Sequence, residues 1–222
     1  MAGGTEVELK LLVDGPEALR AVAAAAARRG ARAGPARRQE NHFFDARDGR
    51  LRRADHTLRL RAEEGRFELC AKGPAEAGGD AELHVRAEAE AEVDAGLARR
   101  VLAGEVSILD ALERALARPS ALLARIRAVL GGAALEHAGS FENERTVVGP
   151  LRADGAELAL ELDRTRFPGG RVDCEVELEL PASAARAGRA LLAELMAESG
   201  VLGRPAPSKA ARFFEALSAS GA

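Results

Sequence analysis

Residues 5–13 read TEVELKLLV. From Val7 to Val13 every odd position is apolar: Val7, Leu9, Leu11, Val13. The even positions carry Glu6, Glu8 and Lys10, then Leu12. A two-residue period in Val and Leu predicts a β-strand. Two acids and a base then share one side of it. That side is either the wet exterior of a sheet or the wall of a site, and the stretch alone fits both.

The chain has 222 residues, 47% hydrophobic and 30% charged. That is enough for one large domain or two small ones with a packed core, and it argues against disorder. Aromatics make up 3%, with no Trp or Tyr, and the net charge is −3. Nucleic-acid binders are more often basic and aromatic, so no nucleic-acid partner is expected. Cys70 and Cys174 lie far apart without a Cys-x-x-Cys spacing, which reads as two free thiols in a reducing cytosol. No apolar run approaches the roughly 20 residues of a membrane span. The opening MAGGTEVELK lacks the basic and apolar regions of a secretory signal. A cytoplasmic protein with no membrane partner is the expectation.

Along the chain, the Ala-rich stretch after Pro16, ending near Gly30, predicts a helix. RRQENHFFDA reads as a strand and RDGRLRRADH as a turn and loop. TLRLRAEE and RFELCAKG form a hairpin about Gly65, and GPAEAGGD a loop. AELHVRAEAEAEV, 81–93, is rich in helix formers but alternates with period two, and the period decides for a strand. Residues 94–131 place Leu, Ile and Val at helical spacing, giving two or three helices broken at Pro119. Three more alternating runs follow, then a helix over 182–199. A short helix over about 208–219 has Ser208 as its cap. About seven or eight strands, split by a helical middle, fit one α+β domain over 1–222 with a large antiparallel sheet.

The charged parity recurs in strand after strand. Arg59, Arg61 and Glu63 follow the first set, then Glu68, Cys70 and Lys72, then Arg86, Glu88 and Glu90. Later come Asn143 and Arg145, Glu161 and Asp163, and Glu175, Glu177 and Glu179. The opposite parity is apolar nearly throughout. A half-solvated sheet explains any one strand. Over the set, solvent-facing strand surfaces would hold more Thr and mixed polar residues. The apolar faces also need cover, which the helical segments can supply from outside. A sheet covered in that way can curl its charged face inward, and a barrel of about eight strands has room for a small ligand. Divalent metal on the carboxylates and a polyanion on the Arg and Lys side would satisfy such an interior.

Glu6-x-Glu8-x-Lys10 resembles the signature of the CYTH superfamily, the triphosphate tunnel metalloenzymes. In the same order come TLRLR, LCAKGP, VRAEAE, FENERTV, LELD, CEVELEL and SKAARF, together spanning nearly the whole chain. QENHFFDA and FENER are most similar to the single-domain plant and bacterial inorganic tripolyphosphatases. The resemblance implies an α+β fold: a closed eight-stranded antiparallel β-tunnel with a charged interior and helices packed outside. It also implies metal-dependent hydrolysis of tripolyphosphate to pyrophosphate and phosphate, with Mg²⁺ or Mn²⁺. Where the family often has Tyr after the C-terminal Ser-Lys, this chain has Ala210.

On that resemblance Glu6, Glu8, Asp163, Glu175 and Glu177 are the metal-facing carboxylates. Lys10, Arg59, Arg61, Lys72, Arg86, Arg145, Lys209 and Arg212 are the phosphate side. Glu8, Lys10, Glu88 and Glu90 are the candidate catalytic groups, with Glu88 or Glu90 positioning water or pairing with Arg86. Glu92 and Glu179 read as rim groups. His42, His56, His84 and His137 are not spaced as a metal site, and of these only His84 shares the tunnel parity. Phe43, Phe44, Phe213 and Phe214 read as core. No P-loop is present, and GGD at 78–80 is too short for a nucleotide fingerprint. The alternatives are thiamine-triphosphate hydrolysis, adenylate cyclisation, or a polyphosphate- or nucleotide-binding module without turnover. The expected partner is a small polyphosphate, on a monomer or homodimer.

Overall fold

The computed structural model describes residues 4–75 and 82–220. The first half runs β1 (Gly4–Val13), α1 (Gly15–Arg28), β2 (Arg32–Ala33), β3 (Arg37–Ala46), α2 (Arg50–Arg53), β4 (Thr57–Glu63), β5 (Arg66–Ala75) and β6 (Leu83–Val93). Three helices follow: α3 (Ala95–Leu102), α4 (Ile108–Ala115) and α5 (Ala121–Leu130). The second half is β7 (Leu135–Ala153), β8 (Ala156–Arg166), β9 (Val172–Glu179), α6 (Ala185–Ser199), β10 (Arg204–Pro205) and α7 (Lys209–Ala219).

Eight strands pair antiparallel in the order β1-β6-β5-β4-β3-β7-β8-β9, and β9 pairs back onto β1 through Lys10–Glu177 and Leu11–Val176. The sheet is therefore a closed barrel. β10 adds to β1 at Leu11 and Leu12, and β2 adds to β7 at Val148 and Gly149. The β4–β5 hairpin turns on Glu64 and Gly65, both at positive φ, the backbone that a two-residue loop between twisted strands requires.

The apolar parity faces outward, as the inverted pattern predicts. Leu9, Leu160, Val176 and Leu178 are fully buried beneath Val22 and Ala25 of α1 and Leu195 of α6. Leu58, Leu60, Leu69 and Ala71 are sealed by Ile108, Leu112, Leu123 and Ile126 of the helical segment between β6 and β7. Burying each such Leu contributes roughly 1.5–3 kcal/mol, so the folding drive lies in two layers outside the barrel wall. Local signals fix these helices. The Asp94 carboxylate accepts from Gly96 N and Leu97 N at the start of α3, Ser120 caps α5, and left-handed Gly131 ends it. Among the described residues no helix is long and apolar enough to cross a membrane.

Two local readings are corrected. RDGRLRRADH is not all loop: the buried Asp45 carboxylate accepts from Leu51 N and Arg52 N and starts α2. Residues 73–75 of GPAEAGGD continue β5, and the rest of that stretch, with GGD, lies outside the described residues. β7 runs on past Gly149 to Ala153, with its register against β8 shifting between Val148 and Leu151. Pro150 has no N–H to donate and sits in that irregularity, where a ladder bond is not required.

The interior is not charged throughout. Phe43 and Phe141 also point inward, and Phe213 of α7 packs on both, with ring centroids at 4.9 and 5.9 Å. Phe167 and Phe214 complete this cluster, which closes one part of the barrel with aromatic surface. Cys70 and Cys174 are free and buried.

Candidate functional site: a barrel cavity with an ionic wall

Alternation on eight strands brings most of the charged parity onto one cavity of about 290 Å³. Its wall includes Glu6, Glu8 and Lys10 from β1, Arg59 and Arg61 from β4, Lys72 from β5, and Arg86, Glu88 and Glu90 from β6. Arg145 of β7, Glu177 of β9 and Lys209 of α7 also line it. Asp163, Glu175 and Arg212 do not; they lie behind this wall and are 0–1% exposed.

Two ionic clusters hold the interior in register. In the first, Lys72 Nζ bridges Glu6 Oε1 and, at 3.3 Å, Glu88 Oε1. Cys70 Sγ donates to the same Glu88 oxygen at 3.2 Å. Burial pushes the Cys70 thiol up to about 12, so it stays protonated and serves as a donor. In the second, Lys209 Nζ sits among Glu177 Oε1 at 2.7 Å, Asp163 Oδ2 at 2.8 Å and Glu175 Oε2 at 2.9 Å. Arg145 donates to both Asp163 oxygens and to Glu177 Oε2, and also pairs with Glu161. Lys10 joins Glu8 to the second cluster, 2.6 Å from Glu8 and 3.4 Å from Glu177. Burial alone would raise the Glu177 carboxyl, but Lys209, Lys10 and Arg145 outweigh it and hold Glu177 well below the usual carboxylate range.

Arg212 was read from sequence as a phosphate ligand, and the fold gives it another place. Its guanidinium is 2.5 Å from Glu175 Oε2 and 2.7 Å from Asp173 Oδ2, and it donates to the Pro207 carbonyl. It therefore anchors α7 to β9. The five carboxylates read as metal ligands do not all gather at one point either. Glu6 and Glu8 face Lys72 and Lys10, while Asp163, Glu175 and Glu177 surround Lys209. Among the described residues no three acidic, His or Cys side chains converge as a metal site. The donors are nevertheless all hard carboxylate oxygens, the kind Mg²⁺ and Mn²⁺ take. Glu6 Oε2 and Glu175 Oε1 are buried without any partner, and Glu6 lies on the cavity wall, so Glu6, Glu8 and Glu177 fit such an ion in kind.

Three wall groups stand apart. Arg86 is 5% exposed and stands opposite Glu6 in the ladder, yet among the described residues it makes no ion pair or side-chain hydrogen bond, and its Nε is buried without a partner. Glu90 and Glu179 likewise have no cationic partner among the described residues; burial, then neighbouring carboxylates, pushes both carboxyls up. Arg59 and Arg61 share one acid, Glu68, at 3.1 and 3.6 Å, and each keeps a buried, unpaired Nε. Burial and the neighbouring Arg59 pull the Arg61 guanidinium down.

Sequence reasoning missed the neutral part of this wall. Gln39, Asn41, Thr57, Phe43 and Phe141 also line the cavity. Thr165 donates to Asn143, Asn143 to Gln39, and Gln39 to Glu63, a buried chain with bonds of 2.9, 3.0 and 2.7 Å. The alternation in QENHFF was their only signal. Glu179 lines the cavity as well, while Glu92 is exposed. His84 stands opposite Glu8 in the ladder. Burial and the nearby Lys10 pull it down to about 4, so it is neutral and off the cavity wall.

The fold and site together define an α+β protein built on a closed antiparallel barrel with an ionic interior. The chain belongs to the CYTH family, whose domain matches residues 4–214. Among solved structures it is similar to a candidate adenylyl cyclase from Hippeastrum, HpAC1, described as having a dominant triphosphatase activity. That likeness has 25% identity and a TM-score of 0.76 and covers 95% of each chain. It is also similar to a candidate adenylate cyclase from Bacillus halodurans, at 22% identity and TM-score 0.69, covering 96% of this chain and 100% of the other. The PH1012 protein of Pyrococcus horikoshii shares the fold at 17% identity and TM-score 0.53, over 91% and 96% of the two chains. A comparison with curated protein sequences gives no match.

Proposed function

We propose that the cavity binds inorganic triphosphate and hydrolyses it to pyrophosphate and phosphate. The observation that carries this reading is Arg86, a buried guanidinium with no anion of its own among the described residues. An unpaired buried cation is costly, and a phosphate oxygen is the partner that guanidinium geometry suits. Arg59, Arg61 and Lys72 extend the same cationic surface along the wall. The dominant triphosphatase activity described for HpAC1 supports the choice of reaction.

Hydrolysis needs a water in line with the terminal phosphorus and charge stabilisation on the oxygens around it. The water oxygen bonds to that phosphorus, the bridging P–O bond breaks, and pyrophosphate leaves. Glu88 is engaged by Lys72 and Cys70, and of the two unpaired wall carboxylates, Glu90 and Glu179, Glu90 is the one beside Arg59 and Arg61, so it is assigned to orient the water and take its proton. Lys10, Lys72 and the arginines neutralise the developing charge. Glu6, Glu8 and Glu177 would hold Mg²⁺ or Mn²⁺, which supplies further charge neutralisation to the phosphate oxygens when bound.

The test is phosphate release from tripolyphosphate, ATP, thiamine triphosphate and pyrophosphate, with and without Mg²⁺, while assaying cyclic AMP from ATP. Metal-dependent release fastest from tripolyphosphate is expected. Cyclic AMP without phosphate would replace this reading by a cyclase. Tight tripolyphosphate binding without turnover would leave a binding module.

A further inference from the structure

Outside the barrel wall, β3 and β7 bring two imidazoles together. On β3 the residues Gln39, Asn41 and Phe43 face the cavity, so Glu40, His42 and Phe44 take the outer face. On β7 the inward set is Phe141, Asn143 and Arg145, and unbroken alternation would turn His137 inward as well. The ladder instead pairs Phe43 with Gly139 and Phe44 with His137, leaving Ala138 as an extra residue. Such a bulge re-aims the side chains beyond it. His137 thereby comes to the outer face, its ring 5.3 Å from that of His42 and edge-on to Phe44 at 5.4 Å. His42 Nδ1 and His137 Nε2 are 3.2 Å apart, although the residues are 95 positions apart in sequence. The other nitrogen of His42, Nε2, lies 3.5 Å from Glu40 Oε1.

We propose that His42 and His137 form a two-histidine site on the outer wall for a borderline transition-metal ion, Zn²⁺, Ni²⁺ or Cu²⁺. Two imidazole nitrogens about 2.0–2.1 Å from one tetrahedral ion stand roughly 3.3–3.4 Å apart, close to the separation found here. With its proton on Nε2, the nitrogen nearer Glu40, His42 presents Nδ1 as the lone pair facing His137. At 3.5 Å Glu40 is in charge contact with the ring without a hydrogen bond to it, and a carboxylate on that side of an imidazole favours the tautomer that ligates through Nδ1. Burial lowers both imidazoles from their usual value, so protons compete little at neutral pH. Among the described residues no third such side chain completes the shell, and water fills the remaining positions beside the exposed His137. Imidazole prefers these ions to Mg²⁺, so the outer site and the interior carboxylates select different metals.

The experiment titrates Zn²⁺ into the full chain held in excess Mg²⁺, reading histidine ring signals by NMR and heat by calorimetry. The ring signals of His42 and His137 should move together over one equivalent, with those of His56 and His84 unmoved. H137A should weaken this binding at least tenfold, and E40Q about tenfold, the usual effect of removing a carboxylate behind a ligating imidazole. His137 is exposed, so a melting curve of H137A separates loss of the site from loss of the fold. A zinc isotherm unchanged in H137A, or one that moves His56 or His84 in place of the pair, overturns the proposal.

Discussion

Arg86 and Glu161 are the residues whose environments make the clearest demands. R86M removes a buried guanidinium that, among the described residues, pairs with nothing. Tripolyphosphate affinity, measured by calorimetry, should fall roughly ten- to a hundredfold, since hydrogen bonds to charged groups are worth about 1.5–3 kcal/mol. The melting temperature should stay level or rise, because an uncompensated buried charge disappears with it. Unchanged affinity would remove the main support for phosphate binding. Glu161 responds to pH. Burial, opposed by Arg145, pushes its carboxyl from the ordinary 4.5 up to about 7. The folded state thus holds this proton more tightly than the unfolded chain. Stability from that proton is complete below about pH 4.5 and is lost as pH rises through about 7. In denaturant unfolding, E161Q should gain on the parent across that window and hold a constant lead above it. A lead that shrinks with rising pH would contradict the linkage. At this scale the charged wall residues were legible because acids and bases on a strict two-residue period stand out against an apolar partner set. Gln39, Asn41 and Phe141 were not, since amides and rings on the same parity look like ordinary strand residues. Lys209 and Arg212, three apart on α7, both reach Glu175 Oε2. Their spacing did not indicate that Arg212 stands behind Lys209.

Among the elements, β6 is the informative case. Its run of Glu and Ala favours helix by propensity, yet the period prevailed. As a strand it pairs with β1 and β5 at once and lays Ala89 and Ala91 under the outer helices. A helix in that place would have left two strands unpaired and the barrel open. α2 was invisible for the opposite reason: its start rests on one buried carboxylate, Asp45, five residues upstream of its first residue, outside any periodic pattern. α7 was foreseen with its Ser208 cap, which accepts from Ala211 N at 3.2 Å. Its packing was not, because it depends on Phe43 and Phe141 pointing inward. Phe213 is fully buried there, so F213A should cost about 3–5 kcal/mol in denaturant unfolding. A loss under 1 kcal/mol would mean that the aromatic cluster does little to hold α7 against the barrel.

For the molecule as a whole, folding and chemistry are written on alternate letters of the same strands. The even residues of β4, Leu58 and Leu60, meet the helices, and the odd ones, Arg59 and Arg61, meet the cavity. The sheet closes on itself at β1–β9, so no long wall edge remains unpaired to recruit a second chain. An evolutionary consequence follows from that interleaving. Substitutions in the cavity-facing set can retune charge and shape inside the barrel while the helix-facing set keeps its outer core, so lineages can drift between neighbouring activities as long as the buried ion pairs stay matched. A one-residue insertion or deletion within a wall strand is a different event. It exchanges the two alphabets at a stroke, and selection should purge it from every wall strand save at bulges, such as the one at Ala138, that the fold already tolerates.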